Sequence, residues 1–205
     1  MMRPVTTVGA VLLAFVLVGC GSTEIKDSWR DPATTAESLQ FKKILVMAVV
    51  DDIVTRRVAE DELVHVIKEG KVQAVPSYTV LTEADRANLD RARLKIEALS
   101  FDGAVTMRLV KMDQKLTYVP GRYPRPYYSF WGYYGYAWPT AYGPGYRRID
   151  TMATIETHIY ALNPEKLIWS GTSETFNPGA AREVVADVAR AVGKELKRQG
   201  LRAGD

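Results

Sequence analysis

Seven consecutive apolar residues, at positions 44–50, constrain the fold of this chain more than any other stretch. A run this short that is rich in β-branched residues is typical of a strand buried on both faces, and such strands lie inside parallel or mixed sheets covered by helices. Helical spacing follows over residues 54–69, closed by Gly70, and a second short strand over residues 72–75. The sequence therefore predicts a β-α-β unit with parallel strands.

The middle of the chain continues this alternation. Thr82 and Asp85 have the spacing of a capping box, which predicts a helix that reaches about Leu99, with a break near Asn88. Residues 104–113 then alternate apolar and polar side chains, the period of a strand that buries one face.

The C-terminal third predicts a β-hairpin and a long helix. Residues 151–162 and 166–176 have strand character and are joined by a tight turn at Asn163-Pro164. After Pro178, apolar residues recur on one side of a helix that Gly200 ends, namely Ala181, Val184, Val185, Val188, Ala189, Val192 and Leu196. The predicted fold class is α/β (α+β), a single mixed β-sheet with packed helices in the order β-α-β-α-β, aromatic insertion, β-β-α.

The first 20 residues have the pattern of a secretory signal. Arg3 precedes an almost uninterrupted apolar run over residues 8–18, which is too short for a transmembrane helix of about 20 residues. The cleavage-site sequence Leu17-Val18-Gly19-Cys20 resembles the bacterial lipoprotein signal. That resemblance implies that Cys20 becomes the first mature residue and carries acyl chains, and that Gly21, which is not aspartate, directs the protein to the outer membrane. A cleaved signal without lipid is the alternative.

The predicted domain boundaries follow from these segments. Residues 1–19 are the signal peptide, and their removal leaves 186 of the 205 residues, enough for one domain. Residues 20–38 are polar and predict a tether, in which Trp29 is expected to pack onto the domain. Residues 39–205 form the domain, with an aromatic insertion at 118–147. The formal net charge of the whole chain, +3, does not suggest a polyanionic partner.

Aromatic residues concentrate in the insertion, which holds nine of the 11 tyrosines, two of the four tryptophans and Phe130. Gly and Pro interrupt it throughout, so neither a helix nor a long strand is expected there. Residues 114–149 contain five basic side chains and no acidic one. Such rings favour lipid headgroups, sugar rings or protein interfaces, and a low-complexity loop without a fixed partner is the alternative. The candidate binding residues are Arg122, Arg125, Tyr127, Tyr128, Trp131, Tyr133, Tyr134, Tyr136 and Trp138.

Few residues are candidates for catalysis. Asp51-Asp52 follows a buried strand, where open sheets bind ligands, but helix capping is the favoured interpretation. Glu156 and His158 form either an acid–base pair or cross-strand partners of Arg108, and His65 is expected in solvent. The sequence contains no nucleophile elbow, phosphate loop or metal-ligand spacing. It therefore predicts no enzymatic activity, no cofactor and no metal.

Five short motifs are distributed over the mature chain: Trp29-Arg30-Asp31-Pro32, Lys43-Ile44-Leu45-Val46, Arg56-Arg57-Val58-Ala59-Glu60-Asp61, Ala74-Val75-Pro76-Ser77-Tyr78 and Asp102-Gly103-Ala104-Val105. Together with the lipoprotein signal they resemble a family of small, uncharacterised bacterial lipoproteins with a domain of unknown function. The resemblance implies no catalytic residue, because that family has no established activity. In fold alone, the element order resembles periplasmic α/β modules such as those of the Tol-associated protein and the curli-secretion lipoprotein.

The sequence therefore predicts a lipid-anchored, non-enzymatic protein of the bacterial outer membrane that faces the periplasm and serves as an interaction or assembly module. A lipoprotein that binds a glycan or small ligand through the aromatic insertion is the alternative. The expected partners are the membrane, through acyl chains on Cys20, and an envelope protein or glycan, whereas nucleic acid is not expected in the envelope. An enzyme centred on Glu156 and His158 is the least favoured hypothesis.

Overall fold

The computed structural model describes residues 23–67, 72–119, 129–142 and 146–201. Within these ranges the strands are β1 (Thr23–Arg30), β2 (Lys43–Val49), β3 (Gln73–Pro76), β4 (Gly103–Val119), β5 (Tyr146–Leu162) and β6 (Glu165–Phe176). The α-helices are α1 (Ile53–Ile67), α2 (Glu83–Arg86), α3 (Leu89–Ala98), α4 (Phe130–Tyr142) and α5 (Ala181–Arg198). Short 3₁₀ helices occupy Ala36–Leu39 and Ser77–Thr79.

All six strands belong to one mixed sheet with the order β1-β6-β5-β4-β2-β3. β2 is parallel to both of its neighbours, β3 and β4, while β4, β5, β6 and β1 are antiparallel to one another in turn. Ile44, Leu45 and Val46 of β2 are buried on both faces of the sheet, as predicted. The predicted fold class, a single mixed sheet with packed helices, is confirmed.

Two layers of helices bury different parts of the sheet. α1 and α5 cover one face, where Leu63, Val188 and the fully buried Trp169 belong to the same apolar cluster. The apolar stripe predicted for α5 is confirmed, because Val184, Val185, Val188, Val192 and Leu196 are all buried. On the opposite face a smaller cluster forms around Leu45, Phe101 and Ala104, against which Ile96 of α3 packs.

The first strand corrects the prediction of a tether over residues 20–38. Thr23–Arg30 is β1, an edge strand whose backbone pairs with β6. An edge strand needs no apolar period, because its backbone hydrogen bonds and a few side-chain contacts hold it, so its polar sequence gave no strand signal. Ser28 Oγ donates to Glu195 Oε1 at 2.9 Å, which fixes β1 to α5. Trp29 was expected to pack onto the domain, but it is exposed.

The helical segment that follows β3 matches its prediction. Thr82 and Asp85 form the capping box of α2, in which the Thr82 amide donates to Asp85 Oδ2 at 2.9 Å. The predicted break is at Asn88, whose side chain accepts a hydrogen bond from the Arg91 amide at 3.0 Å and so begins α3. The chain therefore forms two helices, and Asn88 caps the second one where a single continuous helix would have carried it in its interior.

The aromatic insertion contains a helix, which corrects a second prediction. α4 runs from Phe130 to Tyr142 although glycine and proline were expected to exclude any helix. At its start the Gly132 amide donates to Ser129 Oγ at 3.1 Å. Trp131 and Tyr134, three residues apart, hold their ring centroids 6.0 Å from each other. Capping and ring contacts of this kind offset the helix-breaking cost of the glycines.

β4 and β5 are much longer than the strands beside them, with 17 residues each. β6 pairs with β5 only as far as Phe176, opposite Met152, and β2 leaves β4 at Arg108. Residues 114–119 and 146–151 therefore form a two-stranded ribbon that projects beyond the sheet. At about 3.3 Å per residue the ribbon is roughly 20 Å long, and it includes both ends of the aromatic insertion, whose remaining residues follow at its tip.

Candidate functional site

The ribbon (residues 114–119 and 146–151) has one apolar face. Leu116 lies opposite Ile149, and Met112 lies four residues earlier on the same side of β4. These three side chains are 58%, 60% and 56% exposed, respectively. Side chains on this face of the sheet proper, such as Ala153, are buried beneath the helices. The ribbon therefore continues the apolar face of the sheet beyond the helices that cover it, and its apolar side chains are exposed to solvent.

The other face of the ribbon is polar and is tied to the body of the domain. Asp150 is buried and accepts hydrogen bonds from Thr117 Oγ1 at 3.0 Å, Arg148 Nη2 at 3.1 Å and Asn177 Nδ2 at 3.3 Å. Burial raises the pKa of the Asp150 carboxyl, but the bonds from Arg148, Asn177 and Thr117 outweigh burial and hold the pKa below its ordinary value. The Thr151 amide also donates to Asn177 Oδ1 at 2.8 Å, so the base of the ribbon is fixed.

α4 presents a cluster of exposed aromatic rings. Phe130 and Trp131 are 66% and 75% exposed, and their ring centroids lie 5.0 Å apart in an edge-to-face arrangement. Tyr133 and Tyr134 on the next turn are also exposed. Tyr142 precedes Tyr146 by four residues, so the chain keeps the end of α4 within about 14 Å of the ribbon. Exposed apolar surface of this kind is a candidate for an interaction site.

The nine candidate binding residues are only partly described. Trp131, Tyr133 and Tyr134 lie in the exposed cluster of α4, and the backbone of α4 also contains Tyr136 and Trp138. The remaining candidates, and the predicted lipid-attachment residue, lie outside the described residues, namely Arg122, Arg125, Tyr127, Tyr128 and Cys20.

Sequence reasoning missed the aliphatic part of this surface. The extra residue of a β-bulge, Val110, lies between Leu109 and Lys111, so the alternation of residues 104–109 changes phase at that point. Past the bulge, Met112 and Leu116 have the even spacing of one strand face. That spacing, with Ile149 on the returning strand, is the signal that would have indicated a longer strand pair.

Asp52 acts as a helix cap, as the favoured interpretation predicted. Its Oδ1 accepts a hydrogen bond from the Thr55 amide at 2.7 Å, and contact with Thr55 holds the pKa of the Asp52 carboxyl below its ordinary value. Asp51 beside it is exposed. In the described parts of the chain, no group of three or more His, Cys, Asp or Glu side chains is placed to hold a metal ion.

Glu156 and His158 do not form a close acid–base pair. Arg108 Nη2 donates to Glu156 Oε2 at 2.8 Å, so the cross-strand interpretation is confirmed for Glu156. His158 Nε2 lies 3.8 Å from the same carboxylate oxygen, and its Nδ1 is 2.9 Å from Ser170 Oγ. His65 is exposed on α1, as expected.

A buried network that the sequence did not reveal lies where β2 and β3 meet α1. Glu60 is fully buried and accepts hydrogen bonds from Ser77 Oγ at 2.6 Å, the Tyr78 amide at 3.0 Å and the Ala48 amide at 3.2 Å. Arg86 Nη2 donates to Ser77 Oγ at 3.0 Å, and Arg86 Nη1 lies 3.9 Å from Glu60 Oε1. The network therefore joins two of the motifs on which the family resemblance rests, and its role is to hold elements together.

Among the described residues, a cavity lies on each side of the sheet. An open groove of about 1080 Å³ separates α3 from β2, with Met47, Phe101 and Leu162 among its lining residues. Arg56 and Arg86 also line it, but both guanidinium groups pair with Glu83. A second, apolar cavity of about 380 Å³ lies between α1, α5 and the sheet. The residues that line these cavities belong to neither α4 nor the ribbon.

Comparison with known proteins finds similarity in solved structures only. No family model matches the chain, and no curated protein matches it. The PelC dodecamer from Paraburkholderia phytofirmans has a chain with TM-score 0.45 and 12% identity, in an alignment that covers 90% of this chain and 100% of that one. Lipoprotein GNA1162 from Neisseria meningitidis has TM-score 0.41 and 13% identity, with 77% and 99% coverage. Similarity at this level does not indicate a ligand or an assembly for this chain.

Among the residues that the structure describes, no helix combines the length and the apolar character needed to cross a bilayer.

Proposed function

We propose that this chain is a lipid-anchored protein of the bacterial cell envelope, attached to the outer membrane through Cys20 and facing the periplasm, where it serves as a non-enzymatic interaction or assembly module. The observation that carries the proposal is the position of Cys20, directly after an apolar run of signal-peptide length and the small residue Gly19. It is the only cysteine of the chain.

Acylation of Cys20 would make attachment to the membrane stable. Each methylene of an acyl chain buried in a bilayer contributes about 0.8 kcal/mol, and one myristoyl chain alone binds only marginally. A lipoprotein cysteine carries three chains. Dissociation on the timescale of a cell cycle is therefore negligible, and no membrane-spanning helix is required.

The described surface supports interaction rather than catalysis. The aromatic cluster of α4 and the apolar face of the ribbon are left exposed by the fold. By contrast, the polar groups that the sequence suggested for chemistry have structural partners, since Asp52 caps α1 and Glu156 pairs with Arg108. Surfaces of exposed aromatic and aliphatic side chains are typical of contact sites.

The proposal is tested by mass spectrometry of the mature N-terminal peptide together with membrane fractionation. We expect the wild-type peptide to begin at Cys20 and to carry the added mass of the lipid, and we expect Cys20→Ala to leave the membrane fraction. An intact leader, or a trimmed N-terminus without lipid mass, overturns the anchor. Sorting is tested separately by Gly21→Asp, which should move the protein to the inner membrane, with Gly21→Ala as the matched control.

A second candidate function is recognition of a glycan. It is favoured by the exposed indole of Trp131, because such a ring can stack on a sugar. Retention on purified peptidoglycan or lipopolysaccharide should then fall at least tenfold in Trp131→Ala. Trp29→Ala is the matched control, since Trp29 is also exposed but lies on β1. Equal retention of both variants removes this candidate.

A further inference from the structure

The first residue of β1 and the ribbon (residues 114–119 and 146–151) lie at the same end of the sheet. β4 runs toward the ribbon, β5 returns from it, and β6 again runs toward that end. β1 is antiparallel to β6 and therefore begins there. The register places Thr23, Thr175, Ala153 and Met112 in one row across the four strands.

The chain between Cys20 and Thr23 is shorter than the distance by which the ribbon projects beyond Thr23. Thr23 is the third residue after Cys20, so the α-carbon of Cys20 lies within about 11 Å of that of Thr23. From the row of Met112 the ribbon extends seven residues to Val119, about 23 Å. The end of the ribbon therefore lies farther from the row of Thr23 than Cys20 does.

This difference in length limits how the domain can be oriented once the acyl chains of Cys20 enter a bilayer. The headgroup layer must then pass close to Thr23, at the end of the sheet from which the ribbon projects. A ribbon perpendicular to the bilayer would carry its charged residues into the hydrocarbon, which is strongly unfavourable. The ribbon is therefore expected to be tilted, and a tilt toward the bilayer brings its end onto the membrane surface.

The side chains at this end of the molecule suit a phospholipid surface. Phe130, Trp131 and Tyr133 are exposed aromatic residues, a type enriched at the level of the headgroups. Lys115 and Arg147 are exposed cations on the ribbon. Residues 114–149 contain no acidic side chain, so nothing in this segment repels lipid phosphates.

We propose that the end of the ribbon and α4 bind the surface of the same phospholipid bilayer that holds the acyl chains, as a second point of attachment. This inference rests on the proposed function, because it requires Cys20 to be acylated. Two attachment points fix the orientation of the domain. The opposite end of the sheet, with the turn before Glu165, then points away from the membrane.

The test uses the full acylated protein on vesicles of phosphatidylethanolamine and phosphatidylglycerol, with a polarity-sensitive fluorophore on an introduced thiol. Gly135→Cys places the thiol on α4, where a Cβ would meet no atom within 4 Å. Glu165→Cys is the matched control at the opposite end, and its parent residue is exposed. Because the sulfur of Cys20 is then a thioether, each variant has a single reactive thiol.

We expect the fluorophore at position 135 to shift to the blue and to be quenched at least threefold by lipids brominated near the headgroup, and the fluorophore at position 165 to remain unchanged. Adding Trp131→Ser and Leu116→Thr to Gly135→Cys should reverse the shift. Adding Leu89→Thr and Leu94→Thr, which alter exposed leucines of α3, should not.

A fluorophore at position 135 that stays in water, in protein whose Cys20 carries lipid mass, overturns this inference and leaves the proposed function intact. Absence of lipid mass overturns the proposed function itself. A blue shift that disappears when the protein is diluted a hundredfold in lipid also overturns the inference, because it assigns the surface to contact between copies of the chain.

Discussion

The carboxylate of Glu60, which is fully buried, accepts a hydrogen bond from the hydroxyl of Ser77 at 2.6 Å. The same carboxylate accepts the amide of Tyr78, which lies in the turn after β3. A buried carboxylate is costly unless donors surround it, and here they come from two further elements. Glu60 therefore locks α1 to the ends of β2 and β3.

Glu60→Gln is expected to lower the free energy of unfolding by roughly 3 kcal/mol, because the amide nitrogen cannot accept the bonds that one carboxylate oxygen accepts and leaves buried donors unpaired. Urea unfolding followed by circular dichroism measures the change. Asp61→Asn is the matched control. Asp61 is exposed and accepts the Tyr78 hydroxyl, so its substitution should cost less than about 1 kcal/mol. Equal effects would contradict this account.

The contact between β1 and α5 should depend on pH through Glu195. Hydrogen bonds from Arg198, and then from Ser28 and Gln199, lower the pKa of the Glu195 carboxyl from an ordinary value of 4.5 to about 2. A lowered pKa in the folded state means that the ionised form stabilises the fold above about pH 4.5 and that this contribution is lost as the pH falls toward 2.

Lowering the pH from 5 to 2 should therefore destabilise the wild-type protein more than Glu195→Gln, whose amide does not titrate in this range. Urea midpoints measured at several pH values give the comparison. Glu183→Gln, an exposed position on the same helix, should retain the wild-type dependence. If the midpoints of Glu195→Gln and wild type remain parallel from pH 5 to pH 2, Glu195 is not the group responsible.

Gly171 of β6 makes room for the ring of Trp169. A Cβ added at position 171 would overlap Cη2 of this fully buried indole. Gly171→Ala should therefore displace Trp169 and destabilise the protein by about 1–3 kcal/mol, with a red shift in tryptophan emission. Gly135→Ala, where the added methyl group meets no atom within 4 Å, should have no such effect. Unaltered emission of Gly171→Ala would show that the ring does not fill this space.

The pair of Arg108 and Glu156 is expected to contribute little to stability. Arg108 is half-exposed, and ion pairs of this kind are worth about 0–1 kcal/mol. Glu156→Gln and His158→Ala should each change the free energy of unfolding by less than about 1 kcal/mol and leave the cellular phenotype unaltered. A phenotype as severe as that of a deletion, in a variant that folds normally, would instead revive the hypothesis of an enzyme centred on these residues.

The sequence predicted those elements whose stability comes from their own apolar period or their own caps. The seven apolar residues of 44–50, the stripe of α5 and the capping box at Thr82 each encode their structure locally. β1 escaped prediction because its partner, β6, is far away in the chain and supplies the backbone hydrogen bonds. The residues of β1 alone do not indicate that this distant strand pairs with them.

The candidate site was only partly predictable for a similar reason. Composition pointed to the aromatic residues, and Trp131, Tyr133 and Tyr134 are exposed as a contact surface requires. The ribbon and its pair of Leu116 and Ile149 depend on the register between β4 and β5, which the bulge at Val110 shifts. Register is a long-range property, so the aliphatic half of the surface became visible only in the fold.

β1 begins only three residues after the proposed anchor, and this sets how far the domain can travel. A lipoprotein with a long, unstructured tether can reach targets far from its membrane. If Cys20 is acylated, a sheet that starts at Thr23 leaves no long tether, so a binding partner in the cell wall or in the opposite membrane has to cross the intervening gap to meet the domain.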